Sequence, residues 1–198
     1  SQWTAAECRK LLQELDLPGA AERVRVVPLG TDPDRFRPDP AAGAAFRRKR
    51  GLPDGLWLVT VARLVPHKGI DSGIRLLAAL SAQYPHLRYL VVGRGPFEAE
   101  LRGLAESLGV ADRVHILSDV TDAELPAAYA SGDSYLGLSR PDGLDIEGFG
   151  ISLVEAAASG LPVVAGASGG IADAVADGET GMLVDPRDVG AATAAVQR

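Results

Sequence analysis

Two glutamates stand eight positions apart in E147-G-F-G-I-S-L-V-E155, where a glycine-rich loop gives way to an apolar, helix-forming run. Carboxylates accept hydrogen bonds from adjacent hydroxyl pairs, which is the chemistry of a ribose or a hexose. Gly148 and Gly150 let a ligand approach the backbone closely, and with Phe149 they lead into a helix whose first N–H groups lack internal partners. Such donors suit sugar hydroxyls or phosphate oxygens. Glu155 lies about one and a half turns into that helix, at ~1.5 Å per residue, and so reaches the same crevice from deeper inside. The plainer account is one loop charge and one helix-surface charge, and the spacing alone leaves both open. A second pair, Arg63 and Lys68, brackets R-L-V-P-H-K just before a helix opened by Gly69. There a guanidinium fork and an ammonium can meet one diphosphate, aided by the helix N-terminus. Solvated surface charge is the alternative.

Whether these groups converge depends on the elements that carry them. A β-branched run at 23–27 leads into a turn, and further runs follow at 56–62, 88–93, 113–117, 134–138, 162–166 and 181–184. Helical patterns fill the gaps at 69–83, 97–109, 122–132, 150–160, 170–178 and 188–197. Strand and helix in repeated alternation predict an α/β fold, a doubly wound six-stranded parallel sheet of Rossmann-like type. The expected strand order is 3-2-1-4-5-6, with ligand bound outside the C-terminal strand ends. Arg63 and Lys68 follow the strand at 56–62, and Glu147 and Glu155 follow the one at 134–138, so all four fall at that edge.

A chain of 198 residues accommodates one such domain and a short appendage. With 46% hydrophobic and 23% charged residues it belongs among globular rather than disordered chains. No apolar run approaches the ~20 residues of a membrane-spanning helix, and the opening SQWTAAECRK lacks the pattern of a secretory signal. Cys8, the only cysteine, allows neither an internal disulfide nor a cysteine-rich metal site. A net charge of −6 argues against nucleic acid as a partner, so phosphate recognition must be local.

Several other features invite chemistry and support it less. VVGRGP (91–96) breaks the dinucleotide fingerprint, because Phe97 and Glu98 follow Pro96; it reads as a tight turn with Pro96 opening a helix. Asp32 and Asp34 sit in a proline-bounded linker rather than a metal site. His67, His86 and His115 have no ligand spacing and read as surface or loop residues, although His67 lies within the basic loop. FRRKRG (46–51) is a basic helix end that complements the helix dipole, with a lipid-headgroup patch as the alternative. Trp3 and Trp57 are expected in cores or at an interdomain seam.

The segments VVPLGTDPDRFRP, VARLVPHKGID, VVGRGP, EGFGISLVEAAASGLPVVAGASGG and DGETGMLVDP resemble, in order, the C-terminal half of retaining glycosyltransferases of family 4. The likeness runs from about residue 23 to the end, and SRPDGLDIEGFGI (139–151) resembles actinobacterial phosphatidylinositol mannosyltransferases in particular. The resemblance implies the GT-B fold and a donor that is a nucleotide diphosphate sugar, used as substrate without a cofactor or metal. By position it gives Arg63 and Lys68 the donor diphosphate, Glu147 the transferred sugar and Glu155 the ribose. The backbone of Gly148, Phe149 and Gly150 would bind sugar hydroxyls and phosphate. Asp119 and Val120 fall in the segment packing on the nucleobase, and Gly30 at the mouth of an interdomain cleft. Leu29, Ser118, Ala172 and Asp173 depart from the family pattern, which blurs the acceptor and base sides.

The resemblance also implies that residues 1–22 are the last helix and tether of an N-terminal GT-B domain, the acceptor-holding partner, and that 23–198 form the donor-binding domain. A cytoplasmic location follows, with peripheral contact at the inner membrane face made through the full-length enzyme. Alone, the chain is expected to bind donor nucleotide weakly and to catalyse nothing. Two other classes compete: a doubly wound nucleotide-binding module without catalysis, and a GT-B sugar-nucleotide epimerase. Nothing in the residues fixes the donor base.

Overall fold

The computed structural model describes all 198 residues. Helix α1 (Gln2–Glu14) and the single turn α2 (Pro18–Ala21) precede an extended segment, and α3 (Pro40–Lys49) leads into the sheet. Then follow β1 (Leu56–Val61), α4 (Ile70–Leu80), β2 (Leu87–Val92), α5 (Glu98–Ser107), β3 (Val114–Leu117), α6 (Leu125–Ala130) and β4 (Ser134–Gly137). The chain closes with α7 (Ile151–Ala158), β5 (Val163–Gly166), β6 (Met182–Val184) and α8 (Val189–Val196). All six strands are parallel, in the order β3-β2-β1-β4-β5-β6. This is the expected doubly wound sheet, with its switch point between β1 and β4. No helix is long and apolar enough to cross a membrane.

The two sheet faces bury separate cores because successive strand residues point to opposite sides. Leu58 of β1 joins Ile74 and Leu77 of α4, Leu101 of α5 and Ala192 of α8 on one face. Its neighbours Trp57 and Val59 join Phe46 of α3, Tyr129 of α6 and Leu153 of α7 on the other. Trp57 is 1% exposed, in the core as expected. The buried hydroxyls of β1 and β2 are paired. Thr60 Oγ1 donates to Leu136 O at 2.6 Å and lies 2.7 Å from the Tyr89 hydroxyl.

Several local expectations fail for identifiable reasons. Residues 23–27 form no strand: Arg9 of α1 donates to Val24 O at 3.0 Å, and Val27 is 78% exposed with no core to join. The helix expected at 170–178 shrinks to one 3₁₀ turn, Ile171–Asp173. Beyond it the Ala176 N–H donates to Thr180 Oγ1 at 2.9 Å, and Gly178 turns the chain with φ 75°. Pro96 lies outside α5, whose N-cap is Phe97. The stretch 122–132 starts as a 3₁₀ turn, Asp122–Glu124, because Thr121 and Glu124 cap each other before Pro126 admits the α-helix. His67 sits in the 3₁₀ turn Pro66–Lys68 and is only 5% exposed, and His115 lies in β3.

Candidate functional site

The candidate residues lie in or beside the loops after β1, β3 and β4, at the carboxyl edge of the sheet. The loop after β1 is drawn tightly onto the loop after β4. Gly69 has φ 67°, and a Cβ there would stand 1.9 Å from Leu138 O. Only glycine permits that approach in a left-handed conformation. Next to it, the Arg140 N–H donates to His67 O at 2.8 Å. The Arg140 guanidinium grips Asp71 of α4 through both carboxylate oxygens, at 2.8 and 3.0 Å, and reaches Ser72 Oγ at 3.2 Å. Each of these two side chains is 19% exposed.

That clasp brings Lys68 against Glu147, 79 positions away in the chain. The Lys68 ammonium donates to Glu147 Oε2, and each side chain is 17% exposed. Ser139 Oγ donates to the same oxygen at 3.3 Å. Around them Thr60, Ala62, Gly150 and Ser152 line a crevice of about 10 Å³. Burial pushes the imidazole of His67 below its ordinary value, and neighbouring Lys68 adds to the effect, which keeps it neutral beside the lysine.

Arg63 lines a wider, open cavity of about 310 Å³ next to this crevice, and Ala62 borders both. Val61, Val92, Gly93, Arg94, Val120 and Leu125 complete it. Val120 thus faces the cavity wall beside Arg63. Asp119 is held from behind: Arg50, at the end of α3, donates to both its carboxylate oxygens at 2.8 Å and to Glu124 Oε2 at 2.9 Å. Glu124 also receives Lys49, and it is held at about 2 chiefly by Lys49 and then by the Thr121 cap. Three basic residues of the run 46–51 therefore have partners within the chain, since Arg47 also donates to Ser131 O, while Arg48 is exposed.

Helix α7 begins at Gly150, the N-cap, with φ 89° and no side chain to cap the first turn. Its free N–H groups are available to hydroxyl or phosphate oxygens. Phe149 is buried, at 8% exposure, and anchors the loop. Gly148 O accepts from Thr4 Oγ1 at 3.0 Å, and the Gly170 N–H donates to Glu147 O at 2.9 Å. One and a half turns on, Glu155 Oε2 accepts from the hydroxyl of fully buried Tyr129 at 2.6 Å. Burial raises the Tyr129 phenol well above its usual value, so it remains a donor. Gly30 is exposed with open space on its Cβ side, so nothing within this chain demands glycine there. Asp32 turns its carboxylate onto the Asp34 N–H at 2.9 Å, closing a local turn.

Tyr129, Ser139, Arg140, Asp71 and Arg94 were not singled out from the sequence. The rule that selected Arg63, the end of a parallel strand, applies equally to Arg94 after β2 and to Ser139 and Arg140 after β4. No comparable signal marks Tyr129, an aromatic on an apolar helix face. The largest cavity, about 650 Å³ and lined by Pro162, Val163 and residues 177–183, lies toward the opposite, N-terminal ends of β4 and β5. It is remote from these groups.

Solved structures share the architecture. The Anabaena protein HepE, determined with UDP and glucose, superposes with a TM-score of 0.79 at 27% identity, over 89% of this chain and 47% of that one. The C-terminal domain of LpcC, a group 1 family glycosyl transferase from Francisella tularensis, shares the fold with a TM-score of 0.72 at 23% identity, over 85% of this chain and 86% of that one. The class is therefore the C-terminal domain of a GT-B glycosyltransferase. More specifically, the profile of the family "Glycosyl transferases group 1" matches residues 44–198, and the chain belongs to that family. A GDP-mannose-dependent alpha-(1-6)-phosphatidylinositol monomannoside mannosyltransferase from Mycolicibacterium smegmatis is 44% identical over 180 residues, 90% of this chain and 47% of the relative. A D-inositol 3-phosphate glycosyltransferase from Acidothermus cellulolyticus is 39% identical, over 94% of this chain and 41% of the relative. The chain spans less than half the length of these curated relatives.

Proposed function

We propose that this chain is the donor-binding half of a retaining glycosyltransferase that moves a hexose from a nucleoside diphosphate sugar to an acceptor held by an N-terminal GT-B domain. The observation carrying this reading is the meeting of Lys68 and Glu147 at the carboxyl ends of β1 and β4, beside the cavity lined by Arg63. A cation and a carboxylate side by side suit a ligand that is anionic at one end and hydroxylated at the other. In this assignment Lys68 and Arg63 take the diphosphate and stabilise charge on the leaving nucleotide, as preorganised cations do best. They supply the charge that a metal would otherwise bring. Glu147 takes the transferred sugar with the N–H groups at Gly148, Phe149 and Gly150, and Glu155 takes the ribose. The base lies against Val120, with Asp119 at its rim, and Gly30 borders the cleft to the other domain.

GDP-mannose is the donor best supported, because relatives at 41–44% identity carry it in their names. A UDP sugar is the second reading, favoured by the UDP-bound HepE structure. We assign residues 1–22 to the tether from the N-terminal domain. Any contact with the inner membrane face falls to the full-length enzyme, since Arg47, Lys49 and Arg50 are engaged internally. Calorimetric titration with GDP, UDP and ADP tests the donor reading. GDP should bind most tightly, and failure of all three to bind would remove it.

A further inference from the structure

The Lys68–Glu147 pair has a consequence for how a ligand enters. The crevice around it measures about 10 Å³, roughly the space of a single water. No sugar fits inside this crevice while the pair is closed. Both side chains are mostly buried while paired, so a partner lost there is costly to leave unreplaced.

We propose that Lys68 and Glu147 exchange partners when a sugar nucleotide binds, so that Glu147 makes the site favour the intact donor over its nucleoside diphosphate product. This rests on the donor assignment above, with Lys68 on the diphosphate and Glu147 on the sugar. An intact donor replaces both lost partners: phosphate oxygens take the ammonium, and sugar hydroxyls donate to the carboxylate. The product replaces only one. A bare diphosphate draws Lys68 away and leaves Glu147 with the Ser139 hydroxyl, itself 3.3 Å from Oε2, as its remaining side-chain partner. A poorly paired carboxylate then stands in a largely buried crevice beside added negative charge, which is costly. Product therefore binds against the pull of Glu147 for Lys68, and its departure restores the ion pair. Glu147 is in this sense a discriminator between donor and product as well as a sugar contact.

The test compares GDP with GDP-mannose by calorimetry on the 198-residue chain, wild type against Glu147→Gln. Wild type should bind GDP-mannose at least tenfold more tightly than GDP. Glu147→Gln keeps the side-chain shape and removes the competing charge. It should bind GDP about tenfold more tightly than wild type does, equivalent to about 1.4 kcal/mol, and lose most of the preference for the sugar-bearing ligand. Unchanged or weaker GDP binding by a folded Glu147→Gln chain would overturn the exchange, because it would mean that Glu147 steadies Lys68 for phosphate. Should that variant not fold, the wild type decides alone: GDP binding as tightly as GDP-mannose overturns the proposal. If wild type binds GDP but Glu147→Gln fails as described, only the exchange is lost. If wild type binds neither ligand, nor UDP nor ADP, the donor assignment falls and the exchange with it.

Discussion

Glu155 has two competing explanations that one set of substitutions separates. Its carboxylate accepts from Tyr129, whose side chain is fully buried, at 2.6 Å. Satisfying that phenol would be a sufficient structural role, with no ligand involved. In the donor reading, the carboxylate also receives ribose hydroxyls. Glu155→Ala should orphan the phenol and cost about 1–3 kcal/mol of stability, a fall in melting temperature of roughly 2–12 °C for a chain this long. Glu155→Gln keeps an oxygen for Tyr129, so its melting temperature should stay near wild type. Binding separates differently. Losing a charged hydrogen bond costs about 1.5–3 kcal/mol, so Glu155→Ala should weaken GDP binding about 12- to 140-fold. Glu155→Gln, retaining a neutral acceptor, should weaken it only about 2- to 12-fold. Calorimetry with GDP and 2′-deoxy-GDP assigns the contact, because the deoxy ligand should bind wild type less tightly and lose less on mutation. If both variants bind GDP like wild type while Glu155→Ala melts lower, Glu155 serves Tyr129 alone and the ribose assignment is wrong.

The clasp between the two loops makes a further prediction. Arg140→Ala leaves Asp71 unpaired at 19% exposure, for which about 1–3 kcal/mol of stability is expected after allowing for partial solvent access. It should also weaken GDP binding through the displaced Lys68 loop, and Arg140→Lys should not restore either, since an ammonium cannot reproduce the two-point grip. Full rescue by lysine in melting and titration experiments would refute that geometry. A pH series supplies the last test. Burial holds His67 and His115 below the ordinary imidazole value, so the unfolded chain takes up protons first as pH falls. Their contribution to stability is whole above about pH 6.5 and is lost as pH drops through the folded-state values. Glu124 behaves separately: held at about 2, its contribution is present above its ordinary 4.5 and lost as pH falls toward the lower value. Melting temperature should therefore decline between pH 7 and 5.5, less steeply in His67→Gln. A flat profile there contradicts the burial argument.

Strand periodicity located every sheet strand within a residue or two, and the alternation with helices gave the sheet order, because a parallel doubly wound sheet is set by local pattern and handedness. The run at 23–27 misled for the same reason. Its β-branched residues have strand propensity, but β-structure needs a neighbour to pair with, and here α1 holds Val24 instead. At 170–178 an apolar, alanine-rich stretch suggested helix, whereas the Thr180 hydroxyl bonds to the Ala176 N–H in a tight turn, an option open to short polar side chains.

Sequence could name the charged residues of the site but not the partners they hold in the free protein. Lys68 meets Glu147 across 79 positions, Arg50 meets Asp119 across 69, and Tyr129 meets Glu155 across 26. Such pairs follow from topology, which brings strand ends together regardless of their distance along the chain. Among the charged candidates Arg63 alone takes part in no ion pair or side-chain hydrogen bond. In the donor reading, and in a chain of net charge −6, Arg63 would be the cation that meets an arriving diphosphate without a prior bond being broken. Lys68 becomes available only after Glu147 lets go. On that reading Arg63 would serve the first encounter and Lys68 the closed complex, an order that the separation of the open 310 Å³ cavity from the tight 10 Å³ crevice also favours.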